Sequence, residues 1–427
     1  MYQIENSSEV LKARGQLLAW RSLAPGVSRT VVMLGLTSLF TDISAEMVGT
    51  ILPLYLLFNL NLTPAVFGVV DGLYQGAAAL VRIFGGVAAD RSRRHKEVAV
   101  VGYALSALAR LGFLVVGNVW TLLAAVVMVD RLGKGIRTAP RDALISLSSR
   151  REELGAAFGV HRALDTAGAM IGPLIAFGLL TIAPGAYDAV FVVSLCAALI
   201  GLGFLILFVQ NPPTAAAEPV ARPALSLAAA ARLVRVPGLG PLLVVGTALS
   251  LATMSDGFLY LTLQRRVAFE PRFFPLLYVA TAVIFMLLAV PVGRLADRLG
   301  RGRVFLGGHA LLLVVYASLL VSWTGTLQAI LALVLLGAYY AATDGVLMAL
   351  AGAVLPPELR ASGMALVTTG TSLARLLGSI LFGVLWTWRG VDVAVGLSTV
   401  GLAAAMVLTA VSLRVTKEGS GGERTTP

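Results

Sequence analysis

The sequence predicts an all-α membrane protein: twelve transmembrane helices in two six-helix bundles related by a pseudo-two-fold axis. Three observations lead there. Charged residues make up 13% of the 427 and apolar residues 58%, with a mean hydropathy of +0.87. A soluble domain carries about 25% charged residues, so the surplus apolar surface must face lipid. The apolar residues fall into twelve runs near the roughly 20 residues that span hydrocarbon as a helix, too long for the alternating strands of about 10 residues in a membrane barrel. A short basic loop also occurs twice, 207 residues apart, each time at the end of an apolar run. Its first copy holds Gly86, Asp90, Arg91, Arg93 and Arg94, and its second holds Gly293, Asp297, Arg298, Gly300, Arg301 and Arg303. Repetition at that distance implies a duplicated architecture.

In chain order the helices are expected at 30–58, 64–87, 98–117, 120–147, 154–182 and 187–209, then at 240–263, 273–295, 304–323, 327–354, 363–387 and 391–413. The first carries Asp42 and Glu46, four residues apart and so on one helical face. The second carries Asp71 and Arg82, and the third Arg110. The fourth is the most charged: Asp130, Lys134, Arg137 and Arg141 form one stripe, with Arg131 and Asp142 on another face. The fifth sets His161, Asp165, Gly168 and Gly172 on a stripe that is polar below and small above, where backbones can pack closely. The later six are barer, with Asp256 in the seventh, Asp344 in the tenth and Arg375 in the eleventh. At the 207-residue offset Arg131, Lys134 and Arg137 correspond to Ala338, Ala341 and Asp344, so the halves have diverged. The first half is expected to concentrate the chemistry. The second is expected to supply apolar surface and a few polar contacts, with Phe258, Tyr260, Tyr339 and Tyr340 as candidate lining residues whose plainer role is aromatic packing.

The resulting segments are a terminal stretch at 1–29, a bundle at 30–209, a Pro- and Ala-rich linker at 210–237, a bundle at 238–413 and a tail at 414–427. A short surface helix is expected within the linker, at 224–235. Of the 33 basic residues, 20 lie in connections on one side and 4 on the other. Positive charge accumulates in cytoplasmic loops, which puts both termini, the linker and both copies of the basic loop in the cytoplasm, with the chain in a bacterial inner membrane. The first 29 residues show no apolar core followed by a small-residue cleavage site, so no removable signal peptide is expected.

The net charge of +11 does not indicate nucleic acid, because the basic residues sit in short segments between apolar runs rather than on an aromatic-studded soluble face. One cysteine, Cys196, and three scattered histidines offer no disulfide and no ligand cluster. No metal and no cofactor are expected, and the chain is expected to act as a monomer.

The repeated loop resembles the hallmark between helices 2 and 3 of major facilitator superfamily transporters. Gly293, Leu295, Ala296, Asp297, Arg298, Gly300 and Arg301 fit it closely, whereas the first copy has Arg93 in place of its second glycine. Arg131, Lys134 and Gly135 are similar to that family's helix-4 motif, with Lys134 in place of Gln. Gly159, Gly168, Gly172 and Pro173 resemble its helix-5 antiporter motif, whose closing glycine pair is here Ala176 and Phe177. The resemblance covers essentially the whole chain. It implies alternating access, with the loop residues Asp90, Arg91, Arg94, Asp142, Asp297, Arg298 and Arg301 as a latch, Asp90 near the start of helix 11 and Arg94 near Asp142.

Ionisable groups at membrane depth cost about 2.5–3.5 kcal/mol each on insertion scales unless paired or wet. Two readings compete. A static salt-bridge network would hold the first bundle together, which suits Arg82, Arg110, Arg137, Arg141, Arg162 and Asp142. A working cavity would use Asp42, Glu46 and Asp165 as proton carriers, with Arg131 and Lys134 tuning them or orienting an anionic group. Asp71, Asp256, Asp344 and Arg375 are further cavity candidates, and His161 is either a relay or a hydrogen-bonded packing group. The expected activity is secondary transport of a small molecule, as proton-coupled export. Proton-coupled uptake of a small organic acid or metabolite stays open, as does, more distantly, a non-transporting membrane sensor. No constellation of an enzyme can be assembled.

Overall fold

The computed structural model describes residues 27–92, 94–211, 238–321, 325–344, 346–355 and 360–421. The described residues form twelve long helical units and no strand. They are α1 (Arg29–Asn59), α2 (Pro64–Ser92), α3 (His95–Val115), α4 (Trp120–Leu147), α5 (Leu154–Ile182), α6 (Tyr187–Phe208), α7 (Leu239–Val267), α8 (Pro271–Leu299), α9 (Arg301–Leu320), α10 (Thr326–Val354), α11 (Arg360–Arg389) and α12 (Val391–Gly421). Ten of them are long and apolar enough to cross a membrane; α2 and α4, of 29 and 28 residues, complete the set. Because the connections are short, successive helices run antiparallel. The start of α1, the end of α6, the start of α7 and the α2–α3 and α8–α9 turns thus share one end, called here the linker end. The opposite end is the far end.

The helices differ from a plain apolar reading at three places. Pro53 interrupts α1, and its last turn, Tyr55–Asn59, widens into a π-turn, as where a ladder hydrogen bond is lost. The seventh helix, expected to be continuous, breaks between Ala252 and Asp256. Exposed backbone groups cannot stay unpaired in hydrocarbon, and here the Met254 amide donates to the Tyr316 hydroxyl at 2.6 Å while Ser255 caps the second segment. The tenth helix also breaks, its first segment ending at Thr343 and its second resuming at Val346. Beyond the expected boundary at 413, α12 stays helical to Gly421. The surface helix expected at 224–235 lies outside the described residues.

Within the first bundle, α1 packs on α5 and α6, α4 packs on α2 and α3, and α3 packs on α6; in the second, α10 packs on α8 and α9, α11 on α7, and α12 on α9. The bundles meet along α2 with α11 and along α5 with α8. Glycine makes the first seam possible. A Cβ on Gly68 would lie 2.6 Å from the Ser379 carbonyl oxygen, and one on Gly72 would lie 2.7 Å from that of Leu376. Phe67 on α2 meets Phe258 on α7 edge-on at 4.7 Å, and Phe258 is packed in turn by Phe382 and Trp386 of α11. On the second seam Phe177 stacks on Phe273 at 5.9 Å. These contacts all lie in the far half of the molecule, so the two bundles are closed against each other there.

Candidate functional site

The buried charge of the first bundle centres on Asp130. One carboxylate oxygen accepts from Arg110 at 3.0 Å and the other takes the Arg131 guanidinium. All three side chains are at most 4% exposed. Arg110 also donates to Ser44 at 3.0 Å, Ser44 bonds Ser194 at 3.0 Å, and Arg131 lies 3.7 Å over the Tyr74 ring. This network ties α1, α2, α3, α4 and α6 together. Removing one partner of such a fully buried set leaves an uncompensated charge, which costs several kcal/mol. The Arg131 guanidinium is thus held by Asp130 and the Tyr74 ring. Arg137 is similarly held, donating to Ser106 at 2.7 Å and lying 4.7 Å over the Tyr103 ring.

The carboxyl groups of Asp42 on α1 and Asp165 on α5 meet within hydrogen-bonding reach of each other. Lys134 of α4 lies in the electrostatic field of Asp42 and Glu46, and Arg141 approaches Asp165 at 3.8 Å. The helix-5 stripe creates this proximity: Gly168 sits on the Leu39 backbone of α1, and Gly172 would place a Cβ 2.6 Å from the Ile43 carbonyl oxygen. Gly159 does not share in that packing, since a Cβ there meets nothing within 4 Å. His161 is 4% exposed, with its Nε2 2.9 Å from the Ser38 hydroxyl.

Between the bundles lies a cavity of about 300 Å³. Glu46, Ala169 and Pro173 line it from the first bundle; Asp256, Tyr260, Tyr278, Thr281, Ala282, Phe285, Tyr340 and Asp344 line it from the second. An adjoining chamber of about 60 Å³ is bordered by Gln75, Thr253, Met254, Ser255, Asp256, Tyr339, Tyr340 and Arg375. Both helix breaks reach these chambers, that of α7 through Thr253 to Asp256 and that of α10 through Asp344. The second bundle therefore supplies most of the polar wall of this cavity, Asp256 and Asp344 among it. Tyr340 donates its hydroxyl to Asp256, and Arg375 faces Asp256, Asp344, Tyr339 and Tyr340.

Asp71 is not in the cavity wall. It accepts from Ser379 of α11 at 2.6 Å, directly across the seam, and has Ser255 and Gln75 as further side-chain partners. Ser379 carries no charge that would single it out in a sequence. Its one signal is its place four residues beyond Arg375, on the same helical face. Tyr340 and Asp344 share such a face as well, and both line the cavity.

Of the loop residues, Asp297 pairs with Arg301 at 3.1 Å within its own turn, and Asp142 takes the neighbouring Arg141 at 2.9 Å. The side chains of Asp90 and Arg91 lie outside the described residues, and so does their expected contact with α11.

A chain of this architecture, with ionisable groups at mid-depth between two bundles, is a membrane transporter. The family profile of the Major Facilitator Superfamily matches residues 34–270 and 254–427, and the chain belongs to that superfamily. It is 28% identical over 373 residues to an MFS-type transporter of Methanocaldococcus jannaschii, covering 84% of this chain and 89% of that one. It is 36% identical over 180 residues, 42% of each chain, to a protein of Mycobacterium tuberculosis. Among solved structures, the nucleoside transporter NupG superposes with a TM-score of 0.73 at 16% identity, covering 90% of this chain and 99% of that one. A bacterial homologue of the human lysosomal transporter Spinster gives 0.69 at 14% identity, covering 91% and 97%. The solved structures give the fold, and membership of the superfamily makes the protein a secondary transporter rather than an enzyme.

Proposed function

We propose that this transporter exports its substrate in exchange for protons, by alternating access about the cavity between the bundles. The observation that carries the reading is the contact of Asp42 with Asp165 beside Lys134. Two ionised carboxylates in such contact repel, and one shared proton turns the repulsion into a hydrogen bond. The pair therefore offers a proton position that opens and closes with the spacing of α1 and α5. Glu46, one turn from Asp42 on the same face, lines the cavity and links that position to the bound substrate. Asp71, with Ser379, holds the far end shut in the state described. Release of that clasp accompanies opening to the opposite side.

Export is the direction we propose, and the orientation of the cavity is compatible with it. The cavity lies on the linker side of the closed seam, and the basic bias of the connections puts the linker in the cytoplasm. With the far end shut, a cavity on the linker side is where an exporter would load its substrate. The helix-5 glycines and Pro173 support the same direction.

Purified protein in proteoliposomes under an imposed pH gradient tests this. A substrate added from a broad panel should move protons in the opposite direction to itself, and Asp165→Asn should abolish the proton movement while the variant remains folded. Parallel movement of proton and substrate would mean uptake instead, and unchanged coupling in Asp165→Asn would remove the pair from the mechanism.

A further inference from the structure

We propose that the cavity binds an organic cation, a protonated or quaternary amine carried on an apolar body. This rests on the chain being a transporter that loads from this cavity. The charged side chains in the wall of the 300 Å³ chamber are Glu46, Asp256 and Asp344, all acids. The bases expected to hold an anionic group are drawn away from it: Arg131 is spent on Asp130 and Tyr74, and Arg137 on Ser106 and Tyr103. Lys134 lies in the field of Asp42 and Glu46, against the acids of its own bundle. Arg375 borders the smaller adjoining chamber, where it faces Asp256, and it is not in the wall of the 300 Å³ chamber.

Two further features of the wall suit a cation. Tyr260, Tyr278, Tyr340 and Phe285 line the same chamber, and the negative faces of aromatic rings attract ammonium groups, most strongly where water is excluded. The backbone adds acceptors independently of the carboxylates. Pro173 lies inside α5 and has no N–H, so the carbonyl of Ala169 one turn earlier lacks its ladder partner, and both residues line the cavity. The first segment of α10 ends at Thr343, so the last turn of that segment, with its partial negative charge, abuts Asp344 at the cavity wall. Broken helices of this kind place carbonyl ends against cations. The opposite, positive end at the α7 break is satisfied by the Ser255 cap and by Asp256 at the first helical position.

The test uses two ions of the same shape and opposite charge. Binding of tetraphenylphosphonium and of tetraphenylborate is measured by equilibrium dialysis on the full chain in nanodiscs. A series of tetraalkylammonium ions of rising chain length gauges the size of the chamber. The phosphonium is expected to bind saturably and the borate not to saturate. Asp256→Asn and Asp344→Asn should each weaken the cation by about tenfold or more, as loss of one charge near a low-dielectric site implies. Thermal unfolding of each variant without ligand separates loss of the site from loss of the fold, and Tyr278→Leu gives a second, uncharged perturbation expected to weaken binding. Equal binding of both ions, preferred binding of the borate, or cation binding unchanged in both Asp variants would overturn the assignment. The transport reading fails separately: cation binding without substrate-dependent proton movement sinks exchange and leaves the site, whereas proton movement driven only by anionic or neutral substrates does the reverse.

Discussion

Ser379 on α11 donates its hydroxyl to the carboxylate of Asp71 on α2 at 2.6 Å, joining two residues that are 308 positions apart and belong to different bundles. The bond lies beside Gly68 and Gly72, where the α2 backbone presses on that of α11. It is a polar clasp in a glycine seam. Since it crosses the seam, it exists in full only while the far end is closed.

Ser379→Ala is expected to shift the protein toward states open at the far end. A hydrogen bond to a charged group contributes about 1.5–3 kcal/mol, enough to change the ratio of closed to open states by roughly ten- to a hundredfold. Distance distributions between spin labels at Asn59 and Val393, measured by pulsed electron resonance, should gain a longer component. A distribution identical to that of the parent would show that the apolar seam alone keeps the end shut.

Two glycines of the helix-5 motif should respond oppositely to the same change. Gly168→Ala drives a methyl group into the Leu39 backbone, whose Cα lies 3.0 Å from the added Cβ, and overpacking of this kind costs about 1–3 kcal/mol. Gly159→Ala meets open space and improves helix propensity by about 0.5–1 kcal/mol. Thermal unfolding in detergent should fall for the first and hold or rise for the second. Equal losses at both positions would mean that the motif acts through something other than packing.

Asp130→Asn is expected to be among the most damaging single changes in the chain. It leaves Arg110 and Arg131 buried without their shared counter-charge, a change that costs about 3–5 kcal/mol. Yield of folded protein and its unfolding temperature should both drop sharply. By contrast Asp392→Asn, which removes a partner of Arg266 that is 70% exposed, should change stability by less than about 1 kcal/mol. Similar effects of the two substitutions would show that the buried triad is not what holds α3 and α4 together.

Lys134→Ala separates the two roles left open for the helix-4 charges. If Lys134 serves the Asp42 and Asp165 pair, the variant should fold with the parent's unfolding temperature and lose substrate-driven proton movement in vesicles. Retained coupling would place Lys134 with the structural bases.

The sequence by itself determined the class. Apolar runs of membrane length, the basic loop at Asp90 and Asp297, and the asymmetric placement of arginines are properties of composition and spacing, which survive without coordinates because hydrocarbon accepts so few alternatives to a helix. It also marked Asp42, Glu46, Asp165, Asp256 and Asp344, since an ionisable residue in such a run is conspicuous. It sorted the buried charges only in part. Spacing put Arg110 with the structural bases and Arg131 with Asp42, Glu46 and Asp165, and only packing joined Arg110, Asp130 and Arg131 in one buried triad. Nor was Ser379 visible, because a small hydroxyl in a transmembrane helix gains meaning only from its partner across the seam. The breaks at Ser255 and Asp344 escaped for a related reason: the polar steps there, Ser255 with Asp256 and Thr343 with Asp344, are too short to end a run of membrane length, and the unwound turn at Ser255 depends on a donor-acceptor partner, Tyr316, more than 60 residues away. Which charges face each other across α1 and α5, and which are drawn from the cavity into the first bundle, depends on how closely glycine lets the helices approach. Tertiary structure decided that, because electrostatic pairing is set by distances of a few ångströms that sequence spacing along one helix does not fix.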